Sequence, residues 1–326
     1  MLNVFRNDAF SAATLTDAFT KTPYVPGRIG KLGLFSARGI RTTTAIVEMK
    51  DGQLSLIQTT PRGGPGSNIG GMPRSARSFV VPHLERDSRI TADEVQDVRQ
   101  FGSEDALEGV QAVIDERQAD LRQMHEVTHE YHRVGAIKGV ILDADGTSTV
   151  HNLFTEFGVS QQVEELDLAA NVRSQVVGYQ RLVEAELGAT PVSGYRAFCG
   201  DTFFDELIDS PSVVETLKRQ DSKVLREDLR SGFEFAGVVW ENYRGSVGGT
   251  AFFPTDEAYL VPEGTGIFKM YFAPADFMEA VNTIGLPVYS KIAEGEMNRW
   301  AKLHTQSNPL ALNLRPRAVV KITLAT

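Results

Sequence analysis

The residues best equipped for chemistry are His125-Glu126-Val127-Thr128-His129. On a helix this H-E-x-x-H spacing sets two imidazoles one turn apart, where they can hold zinc with the glutamate as general base. The pattern lacks a third ligand. In an extended zinc-protease motif glycine follows the second histidine by three residues and histidine by six, but here those places hold His132 and Gly135. Glu156 or Glu164 could complete the set, and nothing singles out either one. The plainer reading is two solvated histidines on the polar face of a helix.

Other constellations fall short sooner. Residues 63–71 contain several G-x-G spacings, yet a phosphate cradle needs strand, glycine loop and helix in succession. Gly27 to Lys31 lacks the spacer and the following Ser/Thr of a P-loop. Asp143 and Asp145 before Gly146 imitate half a calcium loop, but the twelfth position is Phe154 and not glutamate. The single cysteine, Cys199, excludes an intramolecular disulfide and a Cys-rich zinc site, and it suits a reducing cytosol. No nucleophile–base–orienter set emerges. The expectation is therefore no catalytic residue, no metal and no cofactor.

Arg62, Arg74 and Arg77 are left. They could meet phosphates or acidic protein, and in a chain of formal net charge -9 the carboxylates of a neighbouring surface are the better partner. The same acidity argues against dedicated nucleic-acid recognition, although it is compatible with lining a container of DNA.

The supporting elements come next. With 326 residues, 42% hydrophobic and 23% charged, the chain can build one large domain or two ordinary ones. It has no uncharged apolar run of about 18 residues, so no membrane-spanning helix is expected. MLNVFRNDAF lacks the marks of a signal peptide, and the expectation is a soluble, intracellular product.

Residues 22–41 combine Pro23, Pro26, Gly27, Gly30, Gly33 and Gly39 with Tyr24, Leu34 and Phe35. That is too many breakers for a helix or central strand, and too much apolar surface for a solvated loop. The segment is expected to be an extended arm. From 42 to about 85 a long hairpin is expected, with strands at Thr42 to Met49, Leu54 to Thr60 and Ser78 to Pro82 and a turn at Asp51-Gly52. Its tip, residues 61–75, holds five glycines and three prolines.

A helix capped by Ser103 and running to Val134, with Gly135 beyond its end, would span about 45 Å. Leu107, Val110, Ile114, Arg117, Leu121, Met124, Thr128 and Tyr131 step by three and four and define the expected buried stripe. On it Thr128 is inside, and His125 and His129 flank it or point away. A second hairpin (Ile137 to Leu142, Ser148 to Phe154) follows. Mixed helices (Asn171 to Leu187, Thr202 to Ile208, Ser212 to Lys218, Pro274 to Asn282) and strands (Phe235 to Tyr243, Glu257 to Val261, Ile267 to Phe272) come after it. Two tail strands, Ala301 to Ser307 and Arg317 to Leu324, complete an α+β chain.

Several stretches resemble the lambda-like bacteriophage major capsid protein E family: PYVPGRIGKLGLF, TTPRGGPG, RSFVVPHLERDSRITADEVQDVRQFG, HEYHRVGAIKGVILDADGTSTVHNLF and QSNPLALNLRPRAVVKI. They keep their order over nearly the whole length. The resemblance implies an α+β tailed-phage capsid fold of the Hong Kong 97 type. It divides the chain into an N-terminal arm (1–41), an extended loop (42–90), a peripheral domain with a spine helix (91–159), an axial domain (160–290) and return strands of the peripheral domain (291–326). It implies hexamers and pentamers of an icosahedral shell around double-stranded DNA, bound without sequence specificity. The partners would be a separate scaffolding protein, a portal and a decoration protein, with assembly in the host cytoplasm and no membrane. Tyr24, Leu34, Phe35, Arg62, Arg74 and Arg77 are the expected contacts between subunits. The opening quarter is expected to need a neighbour to cover its apolar side chains, and the alternative is a zinc hydrolase using residues 125–129.

Overall fold

A computed structural model of the chain describes residues 27–50, 74–95, 106–219, 232–247, 249–295 and 299–325. In chain order it begins with α1 (Arg28–Leu32), β1 (Ser36–Gly39), β2 (Thr44–Lys50), β3 (Arg74–Val80), β4 (Leu84–Thr91), α2 (Ala92–Val95) and α3 (Ala106–Lys138). Next come β5 (Val140–Leu142), β6 (Thr149–Asn152), α4 (Leu153–Phe157), β7 (Gln162–Leu166), α5 (Val172–Leu187), β8 (Gly194–Cys199), α6 (Asp201–Asp209) and α7 (Pro211–Arg219). Then follow β9 (Phe233–Phe235), β10 (Val238–Asn242), β11 (Ser246–Val247), β12 (Thr250–Ala251), β13 (Glu257–Glu263) and β14 (Phe268–Phe272). The last are β15 (Tyr289–Glu294), β16 (Trp300–Ser307), β17 (Pro309–Asn313) and β18 (Val320–Leu324).

The apolar interior lies around a six-stranded sheet of order β7-β18-β13-β8-β10-β9. Helix α5 begins where the Asn171 side chain accepts from the Ser174 N–H, and its buried residues, Val172, Val176, Tyr179, Val183 and Leu187, recur at helical spacing. Phe203 of α6 stacks on the fully buried Trp240 of β10, centroids 6.3 Å apart. The expected strand from Phe235 to Tyr243 is broken into β9 and β10, because Ala236 and Gly237 both take positive φ and turn the chain back on itself. The last strand was expected among the return strands of the peripheral domain. It lies instead between β7 and β13, where Val320 and Ile322 are fully buried on the inner face.

Helix α3 crosses two smaller sheets. One has the order β1-β14-β17 and the other β15-β16-β4. Strand β4, expected within the extended loop, pairs with β16 over eight residues, from Leu84 against Ser307 to Thr91 against Trp300. Strands β2 and β3 pair as a hairpin from Thr44 against Val80 to Lys50 against Arg74. The turn at Asp51-Gly52, the strand expected at Leu54 to Thr60 and most of the tip lie outside the described residues.

The breaker-rich stretch was expected to form neither a helix nor a central strand; it contains one helical turn, and its strand β1 lies at a sheet edge. Gly27 and Gly33 bracket the single turn α1, and Gly33 closes it at φ +65°. Ile29 is fully buried, and Leu32, Leu34 and Phe35 pack partly buried against the same core. Strand β1 runs parallel to β14. For residues 27–41 the expectation of an arm unable to bury its apolar side chains is therefore corrected: its own chain buries Ile29 and partly covers Leu32, Leu34 and Phe35. Ala45, Val47, Phe79 and Val81 also join a core cluster with Ile141, Leu153 and Phe157.

Helix α3 passes through Gly135 and ends at Lys138, before Gly139 at φ +86°. Gly135 is interior because the backbone of β5 runs against it: a Cβ there would lie 2.9 Å from Ile141 Cα. The expected strand over Ser148 to Phe154 stops at Asn152, whose side chain caps α4. The expected helix at Pro274 to Asn282 is reduced to a 3-10 turn, Met278–Ala280, with Asn282 at φ +60° just beyond it.

Candidate functional site

Helix α3 follows the expected stripe through Ile114 and Leu121 and then leaves it. Met124 is half exposed, Thr128 is only partly covered, and the buried face continues through Gln118, His125, His129 and His132. The expectation of two solvated histidines is overturned. Gln118, His125 and His129 are tolerated inside because each finds a polar partner. Gln118 donates to Ser290 Oγ at 3.3 Å. His125 Nε2 lies 3.1 Å from Thr305 Oγ1, and His129 Nε2 lies 2.8 Å from Ser307 Oγ.

Hydroxyl bookkeeping fixes the tautomers. Thr305 donates its one hydrogen to Arg86 O and Ser307 donates its own to Pro287 O, at 2.9 and 2.6 Å. Each hydroxyl must then accept from the ring, which assigns the proton of both rings to Nε2. Those nitrogens are occupied as donors and have no lone pair for a metal. Glu126, the would-be base, pairs with Arg122 at 3.3 Å and stands 3.7 Å from His129 Nδ1. Among the described residues no group of three His, Cys, Asp or Glu side chains could hold a metal ion. Burial holds His125 and His132 down at about 4, with His129 adding to the effect in each case. His129 is lowered as well, chiefly by burial.

One turn on, Glu130 ties α3 to α1 and to the residue that follows β10. Its carboxylate accepts from the N–H groups of Ile29 (2.6 Å) and Gly30 (3.1 Å) at the start of α1, from Tyr243 OH (3.1 Å) and from Arg133 Nη1 (3.2 Å). Burial, then Glu130 itself, pushes the Tyr243 phenol well up. The buried Glu241 receives both Arg28, including Nη2 at 2.8 Å, and Arg196 Nη1 at 2.9 Å. Gly27 has to be glycine, since a Cβ would lie 2.3 Å from Glu130 Cδ. Sequence reasoning missed both carboxylates, which lie in no motif and meet their partners only through the fold.

The expected contact residues are not brought together. Arg77 donates to Phe157 O at 3.2 Å and sits 5.5 Å from that ring's centroid. Phe35 packs on Phe268, centroids 5.2 Å apart, and Leu34 is half-buried beside it. Arg74 opens β3, while Tyr24 and Arg62 lie outside the described residues. The outward apolar side chains lie elsewhere. Ile46 (69% exposed) and Val80 (67%) share the outer face of the β2–β3 hairpin, and Met278 (89%), Val281, Ile284 and Leu286 project from the segment before β15. That segment carries a signal in hindsight: apolar residues among Asn282, Gly285 and Pro287 have no regular element in which to hide.

Residues 11–324 match the family model described as phage major capsid protein E. The chain belongs to that family. Two curated relatives are similar along nearly their full length. The major capsid protein of Pseudomonas phage KPP10 is 28% identical over 340 residues, covering 96% of each chain. That of Salmonella phage Felix O1 is 24% identical over 364 residues, covering 99% of this chain and 98% of the relative. Among solved structures, a putative capsid protein of an Escherichia coli CFT073 prophage aligns with TM-score 0.56 at 12% identity, over 97% of this chain and 99% of that one. The capsid of phage XM1 aligns with TM-score 0.51 at 11% identity, over 93% and 94%. The fold is thus the α+β capsid fold of the Hong Kong 97 type, and this member of the capsid protein E family is a structural protein, not an enzyme. Nothing supports the zinc hydrolase alternative: its two histidines are spent joining α3 to β16.

Proposed function

We propose that this chain is the repeating subunit of an icosahedral phage head, set in hexamers and pentamers around double-stranded DNA. The observation that carries this reading is the family match over residues 11–324, together with capsid-like architecture along the same span. In this reading the six-stranded sheet with α5 to α7 gathers near the capsomer axis, and α3 with the two smaller sheets forms the periphery. The β2–β3 hairpin reaches over a neighbour. The exposed Ile46 and Val80 favour that last role, since paired apolar side chains on an outward hairpin face gain from being covered. Tyr24, Arg62 and Arg74 remain proposed intersubunit contacts. Leu34, Phe35 and Arg77 engage their own chain first and would meet a neighbour only through what they leave exposed. The subunit would assemble in the host cytoplasm on a separate scaffolding protein, around a portal, with a decoration protein as an added outer partner. Contacts between shell subunits would be isologous or ring-closing patches of this kind.

Electron microscopy of the overexpressed chain, alone and with a co-expressed scaffolding protein, tests the proposal. Shells or capsomers are expected. Monodisperse monomers under both conditions would overturn it.

A further inference from the structure

The chain has six histidines: three on α3, His304 on β16, His83 between β3 and β4, and His151 on β6. His125 reaches β4 through Thr305 and the Arg86 carbonyl, and His129 reaches Pro287 through Ser307. His132 is buried next to them on α3, with no hydrogen-bond partner for Nδ1. His151 Nε2 lies 2.8 Å from Val80 O, His304 Nδ1 lies 2.5 Å from Asp87, and His83 Nδ1 lies 2.9 Å from Asn308.

The six divide by what faces them. His151 and His304 each touch a carboxylate, Glu156 at 2.8 Å and Asp87 at 2.5 Å, and the partly exposed His83 has Glu85 at 3.6 Å. The three on α3 are less well matched: Glu126, 3.7 Å from His129 Nδ1, has to serve two of them. His125 and His129 share Glu126, which Arg122 already holds, and Arg133 stands nearby. From the sheet side His125 feels His304, whose Asp87 is also held by Lys302. His132 faces His129 and His151, with Asp143 of the β5–β6 turn as its acidic neighbour.

We infer that the α3 histidines form an acid-responsive slip plane: when protonated they part α3 from the β15–β16–β4 sheet, while β4 stays on β16 and the six-stranded sheet stays closed. Both ring-to-hydroxyl bonds would survive proton uptake, since Nε2 already donates. What fails is the dry packing around a charge that the single carboxylate within reach does not neutralise. Holding the histidines neutral favours contact at neutral pH, and the contact loosens as pH falls below the ordinary histidine range toward 4. The plane belongs to one subunit and does not depend on how the hairpin is used in a shell.

The test is a pair of pulsed-EPR distances in the full chain. Spin labels at Val127→Cys and Ala293→Cys, both exposed, span the plane, while labels at Ala185→Cys and Glu234→Cys report on the six-stranded sheet and α5. Buried Cys199 is shielded from the label. Between pH 7.5 and 4.5 the first distance should broaden or lengthen while the second holds. Adding His125→Gln and His129→Gln keeps a donor near each Nε2 position and should move that change at least half a pH unit lower. An unchanged first distance, or both distances changing at one pH, would overturn the inference. So would a change that the double substitution leaves in place. Should the double variant not fold, the titration of His125 and His129, read by deuterium exchange at their ring C2 positions in the unmodified chain, decides. Midpoints near 6.5 would refute the slip plane.

Discussion

Helices α5 and α3 are both amphipathic and both lie on sheets, but their inner faces differ. Helix α5 buries valines, a leucine and a tyrosine, and α3 between residues 118 and 133 buries, beside Leu121, chiefly glutamine, histidine, glutamate and arginine. The first interface is held by non-directional burial of apolar area, about 25 cal/mol per Å². The second is held by oriented hydrogen bonds and paired charges, each worth little net but costly to leave half-made. One chain therefore carries a core that tolerates change in solution conditions and a seam that is sensitive to it.

The largest expected effect comes from the apolar side. Trp240→Ala, emptying the site stacked on Phe203, should cost about 4 kcal/mol and show as a lower urea midpoint. Glu130→Ala should come next, at about 3 kcal/mol, because it strands Arg133, Tyr243 and two N–H groups of α1. Limited proteolysis near residue 33 should then speed up in that variant, and equal rates would show that α1 is held by Ile29 alone. Gly135→Ala gains helix propensity of about 1 kcal/mol. It should still destabilise by 1 to 3 kcal/mol (order of magnitude), since the added methyl meets the β5 backbone.

A pH series sharpens the comparison. The folded pKa of His125 and His132 lies near 4, below the ordinary value of 6.5. Between those limits the unfolded chain takes up protons that the folded chain refuses. Stability should be full above about 6.5 and fall as pH drops toward 4, by up to about 1.4 kcal/mol per unit for each such histidine. Thermal melts at pH 7.5 and 5 measure this, and a flat response would sink it. The smallest effect, within about 0.5 kcal/mol, is expected for Met124→Ser on the outer face of α3.

What was legible follows the same division. The boundaries of α5, α6 and α7 fall within about two residues of expectation, because valine, leucine and phenylalanine recur there at helical spacing. The length of α3 was legible too, but its inner face was not. A hydrophobic stripe cannot reveal an interior built of histidine and glutamate, so Met124 and Thr128 were placed inside and His125 and His129 outside. Phe277, Met278 and Val281 misled in the opposite direction: their spacing suits a helix, but Met278 and Val281 face solvent. Family membership was legible from ordered motifs, whereas the anchoring of α1 by Glu130 was not, since residues a hundred positions apart carry no shared local signal.

The placement of β18 also bears on timing. Residues 320–324 form the strand between β7 and β13, so the neighbour of residues 162–166 is synthesised more than a hundred residues after them. At translation rates of about 5 to 20 residues per second, β7 waits many seconds for its partner. Any product cut short before residue 320 leaves that sheet split, with two raw edges where a strand belongs. Quality control is thereby written into strand order: only a chain read through residue 324 can close the sheet.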